Sequence, residues 1–456
     1  MATGAETLAL RRAGGPGTRQ VGAAALLAAF AAALGAVTAL ALQSVNRPAW
    51  LLIGGALALL GVLALAVARY EVAVALGFLL FAFVRVEPAP PDIVFAVVIA
   101  VALASGRFRP REVPLGPGLL VAAFIALNIL ACMEAVDPRR AALFCSVTVY
   151  LLVFGLWVAT WAVRHSRVRT LVRIYVGVAV VSAAVGTLAL FVSVPAHDVL
   201  TAYEGTRPRA FFKDPNVYGP FLVPAALILI QEIVHPMALR SRRLVNVGAL
   251  AVLACGILFS YSRAAWLNAA VAVLVMGVVL ALRRGAGRRG LVFASVVGLA
   301  AVILVVAVGA SGQGTFLRER ARIQGYDSQR FSAQSAGLAL GERHPLGVGP
   351  GQFERYEPIS AHSTYVRAFA EEGPLGLLLI AGIMVGTLVL ALRNAARGWD
   401  TCGIASAVLL ACWCGMLANS VFVDTLHWRH LWLVAGLIWA AGAAQASSYR
   451  AGRALT

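Results

Sequence analysis

Nearly charge-free apolar runs recur along the whole chain, separated by arginine-rich or Pro/Gly-rich breaks. Fourteen such runs can be marked, at roughly 21–43, 49–68, 72–86, 92–106, 116–133, 141–163, 171–195, 217–234, 244–260, 264–282, 290–310, 373–392, 401–421 and 428–446. A run of about 20 mostly apolar residues is long enough to cross a bilayer as a helix. Backbone groups in hydrocarbon must be satisfied within the segment, so spanning runs of this kind are helices. The alternating segments of about ten residues expected of a membrane β-barrel do not occur. The pattern predicts an all-α polytopic membrane protein with about 12–14 transmembrane helices. The spread arises because the third and fourth runs are short enough to be tilted, re-entrant or merged.

Two connections depart from the otherwise short links, at about 196–216 and 311–372. The second is too long for a passive connector, and it holds a predicted amphipathic helix at 328–340 with Asp327 or Ser328 as N-cap. The expected organisation is a cytoplasmic tail (1–20), a helical core (21–310), a long extracytoplasmic loop with short helices (311–372), C-terminal membrane helices (373–446) and a cytoplasmic tail (447–456). The first apolar run is too long for a cleavable signal peptide.

Composition sharpens this picture. Of the 456 residues, 61% are hydrophobic and 13% are charged, against roughly 45–50% and 25% in a soluble domain. A soluble enzyme, a disordered chain and a disulfide-stapled secreted module are all excluded. The six cysteines all fall inside predicted spans, where they read as small apolar packing. The net charge of +18 would suggest nucleic acid in a soluble protein. Here it reads as orientation. With a cytoplasmic N-terminus, the inside segments carry 22 basic and 5 acidic residues, and the outside segments 16 and 15. That asymmetry follows the positive-inside rule and predicts that both termini are cytoplasmic.

The outside basic residues oppose the orientation signal and so invite a chemical explanation. They cluster in Arg207-Pro208-Arg209-Ala210-Phe211-Phe212-Lys213, in the short link Ser260-Tyr261-Ser262-Arg263, and in the long loop, which includes Arg330 and Arg367. Guanidinium groups grip phosphate bidentately and keep their charge at a membrane surface. The competing reading is snorkelling to lipid headgroups. Asp214-Pro215-Asn216 reads as a turn into the next span, with Asn216 either capping that helix or meeting a ligand. His362, at the end of the long loop, is a candidate general base near neutral pH. The glycine-rich stretch from Pro345 to Phe353 reads as a sharp connector whose amides are also able to approach an anion.

In order along the chain, Arg207 with Phe212-x-Asp214-Pro215-Asn216, then Ser262-Arg263, then His344-Pro345-x-Gly347-x-Gly349-x-Gly351-x-Phe353, then His362 and Glu371/Glu372-Gly373-x-x-Gly376 resemble the O-antigen ligase and O-antigen polymerase superfamily. Ser363 stands where many members have Asn after the histidine. The resemblance implies a metal-independent, cofactor-free glycosyltransferase of the bacterial inner membrane. It would move a glycan from an undecaprenyl-diphosphate carrier to a lipid or polysaccharide acceptor hydroxyl on the extracytoplasmic face. It further implies His362 as base, and Arg207, Arg209 and Arg263 holding the diphosphate. Arg330 would line the acceptor or sugar cavity and Asn216 would contact substrate. The partners are then the lipid-linked donor, the acceptor and the bilayer, with no nucleic acid. Ligase and polymerase stay open at this point. A flippase or transporter of lipid-linked glycan is the rival, but it would place its ionisable groups or broken helices at mid-membrane.

Overall fold

The computed structural model describes residues 49–86, 88–163, 168–192, 197–203, 205–282, 287–322 and 325–453. The expected 1–20 tail and first span (21–43) lie outside these residues. The chain forms two compact units, one of Met1–Val74 with Asp92–Arg109 and one of Ala75–Pro91 with Pro110–Thr456. The first unit contains α1 (Ala49–Ala68), the start of α2 (Tyr70–Leu79) and most of α3 (Pro90–Ala104). Within it the Arg107 guanidinium lies over the Tyr70 ring, 4.6 Å from the centroid.

The second unit carries α4 (Leu115–Ala131), α5 (Pro138–Ala162), α6 (Val168–Phe191) and the short α7 (His197–Leu200), then a two-stranded antiparallel ribbon pairing Thr201–Ala202 with Arg207–Pro208. Next come α8 (Pro215–Val234), α9 (Arg243–Phe259), α10 (Arg263–Leu282) and α11 (Gly287–Ser311). The long loop folds as α12 (Gly314–Ala321), α13 (Gly325–Arg343) and α14 (Phe353–Tyr356). Finally α15 (Thr364–Ala396), α16 (Ser406–Phe422) and α17 (Arg429–Arg453) close the chain. Among the described residues, seven helices are long and apolar enough to cross a membrane, and six shorter apolar helices accompany them. The chain is an all-α multi-pass membrane protein.

Burial separates the helices by environment. The α8 helix is central, with 89% of its apolar window buried, whereas α11 has 6% buried at a mean hydropathy of 3.0. An apolar helix that hides almost nothing within its own protein is solvated by hydrocarbon. Close helix contacts use small residues, as expected where lipid is as apolar as leucine. A Cβ on Gly436 would lie 2.6 Å from the Gly155 carbonyl oxygen, and one on Gly415 would lie 2.3 Å from Asn268 Oδ1.

Two helix starts use the same device. Asp137 accepts a hydrogen bond from Arg140 N (3.1 Å) ahead of Pro138, and Asp214 accepts from Asn216 N (2.6 Å) ahead of Pro215. Asp214 is thus the cap of α8, and Asn216 lies inside the first turn, because proline at the first helical position hands the cap to the residue before it. In α15, Ser363 accepts from Val366 N (3.4 Å). The helix therefore begins at Thr364 rather than at the expected 373, and Gly373-Pro374 is a kink within it, with Gly373 at φ 71°.

The glycine-rich turn clasps that kink. Val348 N donates to Ala370 O (2.9 Å) and Gly349 N to Glu371 O (3.0 Å). The Glu371 carboxylate accepts from Gly351 N (2.7 Å) and Phe353 N (3.1 Å). The anion these amides approach is therefore an internal carboxylate. A Cβ on Gly373 would sit 2.1 Å from the Pro345 carbonyl oxygen, while Gly398, also at positive φ, has open space around it. Gly373→Ala is expected to destabilise by roughly 3 kcal/mol or more, and Gly398→Ala by only about 1–2 kcal/mol from its left-handed backbone. Thermal unfolding of the detergent-solubilised variants measures the difference.

Candidate functional site

The loops at this end of the fold are joined by arginines. The buried Arg207 donates from Nε and Nη2 to the Ser260 carbonyl (3.2 and 3.1 Å) and from Nη2 to Asn216 Oδ1 (3.3 Å). Its guanidinium also lies over the Tyr203 ring at 5.2 Å. This bolts the first outer loop to the link between α9 and α10. Arg209 donates to the Asp198 carbonyl (3.0 Å). Arg209, Lys213 and Asp214 border a cavity of about 440 Å³ together with Asp198 and Tyr203.

The α9–α10 link in turn holds the long loop. Arg263 pairs with both carboxylate oxygens of Asp327 and donates to the Arg322 carbonyl (3.1 Å). Arg320 donates to the Tyr261 carbonyl (3.3 Å). Asp327 was an expected N-cap, but it sits in the first turn of α13, which begins at Gly325, and is committed to Arg263. Ser328 donates its hydroxyl to the Gly325 carbonyl (2.6 Å). The same α13 carries Arg330.

His362 is half-buried, and its carbonyl accepts from Gln334 Nε2 (3.3 Å) on α13. Burial, then the Arg330 charge and then Arg367 act to hold the imidazole below its ordinary pKa, while Asp214 and Asp424 pull the other way. The balance keeps the ring neutral at neutral pH. Arg330, Asp214 and Asp424, from three other segments, are thus each within electrostatic reach of His362. Non-glycine backbone at positive φ recurs on this face, at Tyr203 (53°), Ala210 (49°), Tyr261 (51°) and His362 (45°). Such strain persists only where the surroundings over-determine it, and it concentrates at functional sites.

Beneath His362 lies a group that the sequence pattern does not reveal. Arg367, on the outer half of α15, is buried with a side chain 5% exposed. It pairs with Glu371 (2.8 Å), Asp424 (2.7 Å) and Glu354, and donates to Ser360 Oγ (2.8 Å). Burial alone would raise the Glu354 pKa, but Arg367 draws it below the ordinary carboxylate value. Arg140 also pairs with Glu354 (2.9 Å), and Arg355 with Asp137 (2.5 Å). One sequence signal was available: Arg367 and Glu371 stand four apart, the spacing of a helical ion pair. Asp424 carried no such signal.

The expected residues are therefore distributed as follows. The charge of Arg330 acts on His362. Arg209 borders the cavity, with Lys213 of the same basic cluster. Arg207 and Asn216 bind each other, and Arg263 is engaged by Asp327. Residues 248–381 match the family model described as O-antigen ligase, so the resemblance to that superfamily is shown over a stretch containing Arg263, Arg330, the glycine clasp, His362 and Arg367. No curated protein matches the chain.

Arg367→Ala is expected to lower stability by about 3–5 kcal/mol, the cost of leaving buried carboxylates without their cation. Arg355→Ala removes only a solvent-exposed pair and should change the unfolding temperature little. Parallel thermal melts of the two variants check the contrast.

Proposed function

We propose that this protein is a glycosyltransferase of O-antigen ligase type acting on the extracytoplasmic face of a bacterial inner membrane, with both termini cytoplasmic. The donor is a glycan on undecaprenyl diphosphate, and the acceptor is a hydroxyl of a lipid or polysaccharide. The acceptor oxygen attacks the anomeric carbon. The bond from that carbon to the diphosphate oxygen breaks, and His362 takes the acceptor's proton. One direct displacement inverts the anomeric centre. The leaving group is already activated, so the protein has to supply charge stabilisation and one base.

The observation that carries this reading is a histidine whose pKa is held below its ordinary value by burial and the Arg330 charge, with a cavity bordered by Arg209 and Lys213, beside Asp198 and Asp214, on one of the segments whose charges act on it. A neutral imidazole is able to accept a proton where an imidazolium is not. Arg209 and Lys213 receive the diphosphate. Arg207 and Asn216 act by fixing the loop that presents those two groups. Arg263 serves the diphosphate by exchanging Asp327 for phosphate oxygens. Arg330 keeps His362 uncharged and lines the acceptor side.

A polymerase would use the same base and the same donor grip, and it differs only in what occupies the acceptor side. Deletion of the gene followed by glycan analysis separates them. Long chains retained on the lipid carrier mark a ligase, and single repeat units mark a polymerase. A flippase would be marked by donor left on the cytoplasmic leaflet.

His362→Ala should leave a membrane-inserted protein with transfer reduced by at least about 100-fold, the usual contribution of a general base. A transfer assay in proteoliposomes measures this, and wild-type rates would overturn the assignment of His362. The pH profile has a definite sign. Because the histidine pKa is depressed, transfer is fully present at neutral pH and is lost on acidification, with a midpoint below the ordinary histidine value of about 6.5. Arg330→Gln removes a positive neighbour and should move that midpoint upward. An unmoved midpoint would separate Arg330 from the base.

A further inference from the structure

The cavity of about 440 Å³ is bordered by Arg209 and Lys213 but also by Asp198 and Asp214, so its four formal charges cancel. Carboxylates work against a site built for a diphosphate alone, because like charges brought together during binding are costly. The volume lies within the range of small-molecule sites, roughly 300–1,000 Å³, and is more than a diphosphate fills. The Asp198 carbonyl holds Arg209 (3.0 Å), while the Asp198 side chain stands exposed at the cavity border. One oxygen of Asp214 accepts from Asn216 N (2.6 Å), and the other has no partner among the described residues. Tyr203 borders the same space, 58% exposed and at a left-handed φ of 53°. It sits just after the first strand of the Thr201–Ala202/Arg207–Pro208 ribbon. Its backbone is fixed by Thr206, which donates its hydroxyl (2.7 Å) and its amide (3.2 Å) to the Tyr203 carbonyl. The Arg207 guanidinium backs the ring at 5.2 Å. Backbone strain that displays an open aromatic ring beside a polar cavity marks a functional position. Such a ring is an apolar platform with a polar tip, suited to the C–H face of a pyranose.

We propose that this cavity holds the first sugar of the donor, stacked on Tyr203, and selects a sugar that carries no carboxylate. The inference deepens the transferase reading and rests on it, since that reading commits Arg209 and Lys213 to the diphosphate. Once phosphate oxygens engage both cations, Asp198, Asp214 and the Tyr203 ring are the groups left to meet the sugar. Ionised carboxylates only accept hydrogen bonds. They therefore bind a sugar through its donors, hydroxyl groups or an acetamido N–H, and a carboxylate spanning two adjacent hydroxyls fixes the orientation of the ring. A uronic acid brings a further negative charge to the same two aspartates and offers no cation in return. Setting an unpaired like charge against the wrong partner is one of the two general routes to specificity. The Asp214 charge also acts on His362, so the sugar site and the candidate base share one electrostatic field.

The test titrates the full-length protein in lipid nanodiscs with undecaprenyl diphosphate bearing no sugar, one N-acetylhexosamine or one hexuronic acid, and reads affinity by native mass spectrometry. The N-acetylhexosamine carrier should bind at least about tenfold more tightly than the bare carrier, the contribution of a hydrogen bond to a charged group. The hexuronic acid carrier should bind no more tightly than the bare one. Tyr203→Ala should erase the gain from the N-acetylhexosamine, and Tyr203→Phe, which keeps the ring, should retain it. Asp198→Asn should strengthen binding of the hexuronic acid carrier and leave the bare carrier unchanged. Equal affinity for the bare and N-acetylhexosamine carriers, with the bare carrier weakened in a variant carrying Arg209→Ala and Lys213→Ala, overturns the sugar site and leaves the diphosphate reading standing. Tight binding of the hexuronic acid carrier by the wild type overturns the selectivity. Bare carrier bound equally by the wild type and that double variant overturns both readings, as does failure of every carrier to bind.

Discussion

The segments around the candidate base are tied together by the buried cation of Arg367. Removing an ion from water costs several kcal/mol even after relaxation, so Arg367 is tolerable only because it meets three carboxylates and a serine hydroxyl. Those carboxylates are drawn from three places: Glu371 one turn along the same helix, Glu354 in the short helix after the glycine clasp, and Asp424 in the link before the last helix. Each carboxylate is occupied a second time. Glu371 accepts two amides of the clasp, Glu354 pairs with Arg140, and Asp424 accepts from Leu426 N (3.1 Å). Buried charge has thus been converted into positional information, because moving any one of these segments leaves a charge without a partner.

The candidate base inherits that rigidity. His362 stands five residues before Arg367, at a strained left-handed position, with Ser363 capping the helix and Gln334 holding the His362 carbonyl. The arginines of the first loop and of the α9–α10 link form a belt leading to the same place: Arg207 on Ser260, Arg320 on Tyr261, Arg263 on Asp327. Most of this basic surface is consumed in joining loops to one another. Arg209 and Lys213 differ in bordering open volume.

Much of the fold was legible in the chain because hydrophobicity alone separates lipid from water, and the helix positions follow the apolar runs closely. The Asp214-Pro215 start was legible as well, though the cap went to Asp214 and not Asn216. The outer half of α15 was not. Arg367 and Glu371 look like loop when read singly, and only their tertiary partners stabilise helix there. Arg263 read as a lone cation in a short link, because its partner Asp327 lies far along the chain. The glycine-rich stretch was rightly a sharp connector, and the anion its amides meet turned out to be Glu371.

The Arg367 cluster also constrains how the protein is made. Asp424 is the last of its three carboxylates to be synthesised, and Thr425, whose hydroxyl lies 3.0 Å from Thr364 Oγ1, follows it. When α15 leaves the ribosome, its outer half holds a cation whose coordination is incomplete, and it stays so until the link after α16 has crossed to the same side. The coordination of Arg367 is therefore completed only when Asp424, near the end of the chain, has been made. Insertion of the closing helix pair is the step that turns a set of threaded helices into a formed outer face.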